Sequence, residues 1–330
     1  MSLRLTIDEA GFDAHVGAIR RAVPALIPVV KGNGYGYGRV MLARRAAGLA
    51  TQLAVGTTSE LAGLDSAGRE TDGIELLVLT PAVHLDGVVL PSNAVPTVGH
   101  TAHLDALLAH RWSGGVSVKL ASSMHRYGVL VAELPALIAR IDESGLELRG
   151  HLLHMPLAGN DRNAARSEAD STAEIEAWLP HLDPAVALSV SHLSPTAFAS
   201  LVERHPRRSL SLRVGTALWH GDKSFLHLQA DVVDLRPVRA GDRAGYRATT
   251  IGAAATLVMV GAGSAHGVTE LAGALSPFHH QRRRLALLEP PHMHTSMLCV
   301  PSGEPTPAIG DWLDVQRPLT SITADEVVWS

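Results

Sequence analysis

A single cysteine, Cys299, stands in 330 residues, so no internal disulfide can form; the chain reads as one kept in a reducing compartment, with the cytoplasm as its expected place. Basic residues are scattered apart from the short run Arg282, Arg283, Arg284, and the formal charge is only -4. That leaves no positive stripe to follow a nucleic-acid backbone. No apolar run is long enough to span a bilayer, and the start, MSLRLTIDEAG, lacks the basic-then-apolar pattern of a signal peptide. Neither nucleic acid nor membrane is an expected partner. Internal repeats and low-complexity segments are missing as well. What remains is an ordinary globular composition, 46% hydrophobic and 18% charged, in a chain long enough for one large domain and a smaller one. Histidine is the unusual count, at 18.

From residue 27 to about 215 short apolar runs alternate with segments of helical periodicity. IPVV (27–30), LAVG (53–56), LLVLT (76–80), VPTVG (95–99), VSVKL (116–120), LRGHLLH (148–154), LSVSH (188–192) and LSLRV (210–214) are eight candidate strands, each followed by a Gly, Ser, Thr or Pro break. Between several of them lie segments such as VMLARRAAGLA, HLDALLAH, ELPALIARIDESG and PTAFASLVERH, whose apolar residues recur every three or four positions. A serial strand-helix rhythm predicts a parallel (β/α)8 barrel over residues 1–225. After Gly221 the rhythm changes to short runs parted by Gly, Pro and Asp, which predicts a β-rich domain over 226–330 with turns at Gly241-Asp242 and Gly310-Asp311.

The stretch PVVKGNGYGYG, residues 28–38, sets one lysine at the end of a buried strand, ahead of a loop made of glycine, asparagine and tyrosine. In a parallel barrel the carboxyl ends of the strands face the catalytic mouth, so Lys31 would point its amine there. A lysine desolvated in such a pocket has a lowered pKa and can condense with an aldehyde. The histidine pairs His279-His280 and His292-Met293-His294 have no Cys or Asp/Glu cluster at ligand spacing beside them, so no metal is expected.

VVKGNGYGYG resembles the pyridoxal-phosphate lysine motif of the alanine racemases, fold-type III enzymes, usually VVKANAYGHG. The likeness continues in order. SVKLASSMHRYGV (117–129) is similar to KVDTGMGRLGI, GHLLHM to a strand ending in THF, SLRVGTALWHG to RPGIALYG, LVMVGAGSAHG to IATVPIGYADG, PHMHTSM to RICMDQT, and the closing GDWLDV to GDEVTL. The resemblance implies a barrel followed by a β domain, pyridoxal 5'-phosphate as cofactor, and a free amino acid as substrate. It makes Lys31 the Schiff-base lysine. Tyr35, Ser194, Gly215 and Thr216 would hold the phosphate, His154 would lie against the pyridine ring, and Arg213 would face its nitrogen. Arg126 would hold the substrate carboxylate, oriented by Lys119, a position often carbamylated in the family. A head-to-tail homodimer is implied as well, with Ser264, His266 and Met293 acting in the other copy's site.

The second acid-base group of the family is a tyrosine, and here that position reads Ser264. His266 and His294 replace aspartates, Asp325 a phosphate-binding tyrosine, and Leu193 an asparagine. The expected activity is racemisation, with Lys31 on one face of the α-carbon and His266, acting through Ser264, on the other. Two alternatives stay open: a one-base reaction such as decarboxylation, transamination or proton exchange with retained configuration, and a non-catalytic carrier of the cofactor. The changed residues predict a substrate larger than alanine or differently charged.

Overall fold

The computed structural model describes residues 2–64, 73–157 and 167–330. The chain divides into two compact units, one of Ala14–Gly34 with Gly38–Gly221, the other of the N-terminal residues to Asp13, Tyr35–Tyr37 and Asp222–Ser330.

In the first unit all eight apolar runs are strands, and every pairing is parallel. Leu26–Pro28 pairs with Leu210–Val214, which pairs with Leu188–Ser191, then Glu147–Leu152, then Gly115–Lys119, then Thr97–Val98. Pro96, which has no amide to give the ladder, separates Thr97–Val98 from Ala94–Val95, and the latter pairs with Glu75–Val78 and so with Gln52–Val55. A bridge between Val29 and Ala54 joins the first run to the second. Most strand residues are buried, as a sheet covered on both faces requires. Ile27 and Val29 of the first run pack into one cluster with Ala54, Leu77, Val95 and Leu152 from four others. The indole of Trp219 donates to the carbonyl of Val29 (2.7 Å), tying the short helix Thr216–His220 back to the first run.

The flanking helices bury the faces their spacing predicts. Leu134–Glu143 buries Leu134, Leu137 and Ile141, and Pro195–Arg204 buries Phe198 and Leu201. The rhythm fails between the third and fourth runs, where residues 79–93 form no helix. Pro81, Gly87 and Pro91 interrupt that stretch, and each opposes helix continuation.

The second unit is a β structure whose pairings are antiparallel except at the N-terminal strand. Its long strand Leu226–Val238 pairs with Ala255–Val260 and with Trp312–Val315; Ala255–Val260 pairs in turn with Ser296–Pro301. Gly241 (φ 92) and Gly310 (φ 88) make the expected turns. The N-terminal strand Leu3–Ile7 also enters this sheet, antiparallel to the start of the long strand and parallel to Glu326–Trp329. Phe12, Tyr37, Phe225 and Trp329 form an edge-on aromatic cluster around Phe12, with ring centroids 5.0 to 5.8 Å from it. The glycine-tyrosine motif is thus divided: Lys31 belongs to the parallel unit, Tyr35 and Tyr37 to the β-rich one.

Candidate active site

The carboxyl ends of the parallel strands carry most of the expected residues. Lys31 follows the first strand and is exposed. The desolvated amine of the site is a different one. Lys119, last residue of Gly115–Lys119, is 3% exposed. Burial first, then the charges of Arg213 and Arg126, bring its pKa from 10.5 down to about 6.

Arg213 lies on the strand Leu210–Val214 and is buried. One terminal nitrogen donates to the backbone carbonyl and the hydroxyl of Ser189, both at 2.6 Å, and the other to the carbonyl of Leu153 at 2.8 Å. Its Nε is buried with no hydrogen-bond partner among the described residues. Burial draws the guanidinium down to about 9, which leaves it charged at neutral pH.

His154 sits 2.9 Å by Nδ1 from the hydroxyl of Ser191 and edge-on to His192, with centroids 4.7 Å apart. Burial, and after it the charges of Arg213 and Lys119, push His154 down to about 2; burial, Arg213 and Lys31 push His192 down to about 4. Both rings are therefore neutral at pH 7. His192 holds a left-handed backbone (φ 62) just past its strand, a strained placement for a residue with a Cβ. The sequence reading passed over it because it looked like the tail of an apolar run.

Arg126 is exposed, its guanidinium 4.6 Å from the centroid of the Tyr127 ring. Its loop is pinned at several points: Trp178 donates to the carbonyl of Ala121 (3.0 Å), Ser122 to the carbonyl of His154 (2.8 Å), and Ser123 to the carboxylate of Glu174 through both N and Oγ. Gly128 closes the loop with φ 139, and a Cβ there would lie 2.5 Å from the carbonyl carbon of Leu120. Only glycine fits. Gly215 caps the short helix Thr216–His220, and Thr216 is exposed.

Ser194 caps the helix Pro195–Arg204, its hydroxyl accepting from the amide of Ala197 (3.2 Å). Its own two donors go to Glu168, a residue that nothing in the sequence singled out: N–H to Oε1 at 2.5 Å and Oγ to Oε2 at 2.9 Å.

In the β-rich unit, Tyr35 is buried with φ 55. Ser264 is exposed on a turn held by its amide to the carbonyl of His292 (2.7 Å), and the next amide, of Ala265, donates to the carbonyl of Met293 (2.9 Å). Met293 is exposed. His266 is buried, and both ring nitrogens are engaged: Nδ1 accepts from the amide of Gly263 (3.2 Å), so Nε2 carries the proton and faces Asp325 at 3.3 Å. The same Asp325 oxygen accepts from the amides of Leu3 (2.8 Å) and Ser2 (3.0 Å). Burial raises the Asp325 pKa, but those hydrogen bonds and His266 outweigh it and hold the carboxyl below its ordinary value. Among the described residues no three His, Cys, Asp or Glu side chains could hold a metal ion, and no helix is long and apolar enough to cross a membrane.

The model of the alanine racemase N-terminal domain matches residues 7–223. The chain belongs to the alanine racemase family. It is 30% identical over 290 residues to an alanine racemase of Mycobacterium tuberculosis, covering 78% of this chain and 71% of that one. With an alanine racemase of Nitratidesulfovibrio vulgaris it shares 31% over 252 residues, 70% of this chain and 66% of the relative, just under two thirds of its length. Among solved structures, the alanine racemase of Bartonella henselae with covalently bound pyridoxal phosphate superposes over the whole of both chains with a TM-score of 0.77 at 19% identity. That of Clostridium difficile 630 gives 0.78 at 16% identity, over 100% of this chain and 96% of the other. These likenesses give the fold, an α/β unit of parallel strands with a separate β-rich sheet.

Proposed function

We propose that this protein is a pyridoxal-phosphate-dependent, racemase-like enzyme that moves the α-proton of a free amino acid, and that its parallel unit is a closed (β/α)8 barrel. The observation that carries the reading is Arg213: a buried guanidinium, fixed through both terminal nitrogens, whose Nε has no partner among the described residues. A buried donor of this kind is costly unless something accepts from it, and the ring nitrogen of the cofactor is the acceptor the family resemblance supplies. The surroundings fit an anionic ligand: Lys119, His154 and His192 are pushed down by burial and by neighbouring cations, Arg213 the first of them in each case.

Bound there, pyridoxal phosphate supplies the electron sink that acidifies the proton on the substrate's α-carbon. Lys31 would hold the cofactor's aldehyde and serve as the acid-base group on one face of the substrate. Arg213 can only donate, so it would keep the ring nitrogen unprotonated and limit side reactions. His154, held neutral, would lie against the ring. On the family resemblance Ser194, Gly215 and Thr216 would hold the phosphate, a role the resemblance extends to Tyr35, and Arg126 would grip the substrate carboxylate with Lys119 behind it. On the other face a second copy of the chain supplies Ser264, with Met293 beside it, on the turn that His266 and Asp325 orient. The substrate is an amino acid other than alanine, and the cytoplasm is the proposed place of action.

A specific observation keeps the one-base reading alive: Ser264 is a poor acid-base group, and both ring nitrogens of His266 are already engaged. One experiment separates the two. The protein, loaded with pyridoxal phosphate, is incubated with a panel of L-amino acids in heavy water and the products are resolved by chiral chromatography and mass spectrometry. Deuterated material of both configurations supports racemisation; deuterium with one configuration only, or a decarboxylated or deaminated product, supports a one-base reaction. A protein that forms no visible absorbance band with the cofactor, or one whose band survives Lys31→Ala, contradicts both.

A further inference from the structure

We propose that Glu168 is a resident anion seated in the phosphate subsite, so that this chain takes up its cofactor only by displacing its own carboxylate. The inference rests on the phosphate-binding role proposed for Ser194. Glu168 is the first residue of the helix Glu168–Trp178, yet its side chain reaches across to the start of another helix, Pro195–Arg204. There it takes the Ser194 N–H at 2.5 Å and the Ser194 hydroxyl at 2.9 Å, one on each oxygen. The hydroxyl's remaining role, as acceptor, is filled by the amide of Ala197 at 3.2 Å.

The arithmetic of donors is simple. A serine has one N–H and one O–H to give, and the carboxylate holds both. A phosphate contacting Ser194 needs one or both of the same two protons. Two negative groups cannot share them at hydrogen-bond distance without strong repulsion in a half-buried place. The seat also suits an anion on its own terms, because the first turn of a ten-residue helix presents its positive dipole end there. Glu168 is held from behind by its own helix, whose start is closed by a Ser167–Asp170 capping box and by the Thr172 hydroxyl bonded to the Glu168 carbonyl (2.9 Å). Displacement therefore means swinging a side chain, not unwinding a helix.

The experiment titrates the full-length apoprotein with pyridoxal phosphate, followed by visible absorbance, in wild type, Glu168→Gln and Glu168→Asp. Pyridoxal, which lacks the phosphate, is the control ligand, and inorganic phosphate is the competitor. Glu168→Gln removes the charge, and Glu168→Asp keeps it in the first turn of its own helix but draws it back from Ser194. Both are expected to bind pyridoxal phosphate at least about tenfold more tightly than wild type while pyridoxal affinity stays within about twofold; inorganic phosphate should compete better in both variants. Ser194→Ala should cost affinity in the Glu168→Gln background and little in the wild type. Equal or weaker binding in both Glu168 variants, with a normal band in all three proteins, overturns this inference alone. No band in any of the three overturns the proposed function and this inference with it.

Discussion

Lys119→Met should make the apoprotein more stable at neutral pH, although it removes a residue from the heart of the site. The wild-type amine is 3% exposed and its pKa falls from 10.5 to about 6. Between those values the unfolded chain carries one more proton at this position than the folded one. Stability then rises with pH, by about 1.4 kcal/mol per pH unit, and the wild type is penalised most at the acid end of the window. From pH 7 to full relief near pH 10.5 the penalty comes to roughly 5 kcal/mol. Part of it comes from Arg126, which is exposed and screened by salt, so about 3–5 kcal/mol is the expected gain in the variant at pH 7. Methionine keeps the length and flexibility of the lysine stem without its charge. Urea unfolding of both proteins between pH 7 and pH 10, in buffers freed of carbon dioxide so that the neutral amine stays unmodified, measures the gap. It should shrink steadily toward pH 10. A variant no more stable than wild type at pH 7, or a gap that does not change with pH, refutes the assignment of a buried, neutral lysine.

Two further outcomes follow from single contacts. Gly128→Ala forces a Cβ to within 2.5 Å of the Leu120 carbonyl carbon at φ 139; the loss should be roughly 2–5 kcal/mol in urea unfolding, with KM raised more than kcat is lowered because the loop carries Arg126, and a loss under about 0.5 kcal/mol would contradict the geometry. Asp325→Asn weakens the hydrogen bonds from Leu3, Ser2 and His266 and should cost about 1–2 kcal/mol at pH 7. Because the folded pKa of Asp325 lies below 3.8, this contribution is complete above that value and fades as pH falls through the folded value; a difference unchanged toward pH 3 would argue against the carboxylate as its source.

The fold was legible where the signal is local. The apolar runs of the parallel unit announce themselves because strands covered on both faces must be apolar throughout; LRLTI, which is not among the runs read as strands, forms one with alternating burial. Which sheet LRLTI joins is not local: its partner Leu226–Ala230 lies more than two hundred residues along the chain. The site divides in the same way. Lys31 and Arg213 stand at strand ends that the sequence marks, but the burial of Lys119 against the exposure of Lys31 is decided by neighbours from other strands. Glu168 offers no sequence signal at all, being one carboxylate in the polar run SEADSTAE. Its role exists only because a second helix begins within its reach.

His266 and Asp325, which on the family resemblance would stand for an aspartate and a tyrosine, face each other at 3.3 Å. Asp325 takes the Nε2 proton that a buried imidazole must place somewhere, and it also accepts from the amides of Leu3 and Ser2. A tyrosine at 325 could not collect all three donors on one carboxylate oxygen, and an aspartate at 266 would set two acceptors against each other. The two side chains therefore depend on each other, and the pair holds the turn on which Ser264 is displayed. A Ser264→Tyr variant would still carry its phenol on a turn shaped by the His266–Asp325 pair, so on the function proposed above chemistry on the second face of the substrate would depend on the three positions together rather than on any one of them.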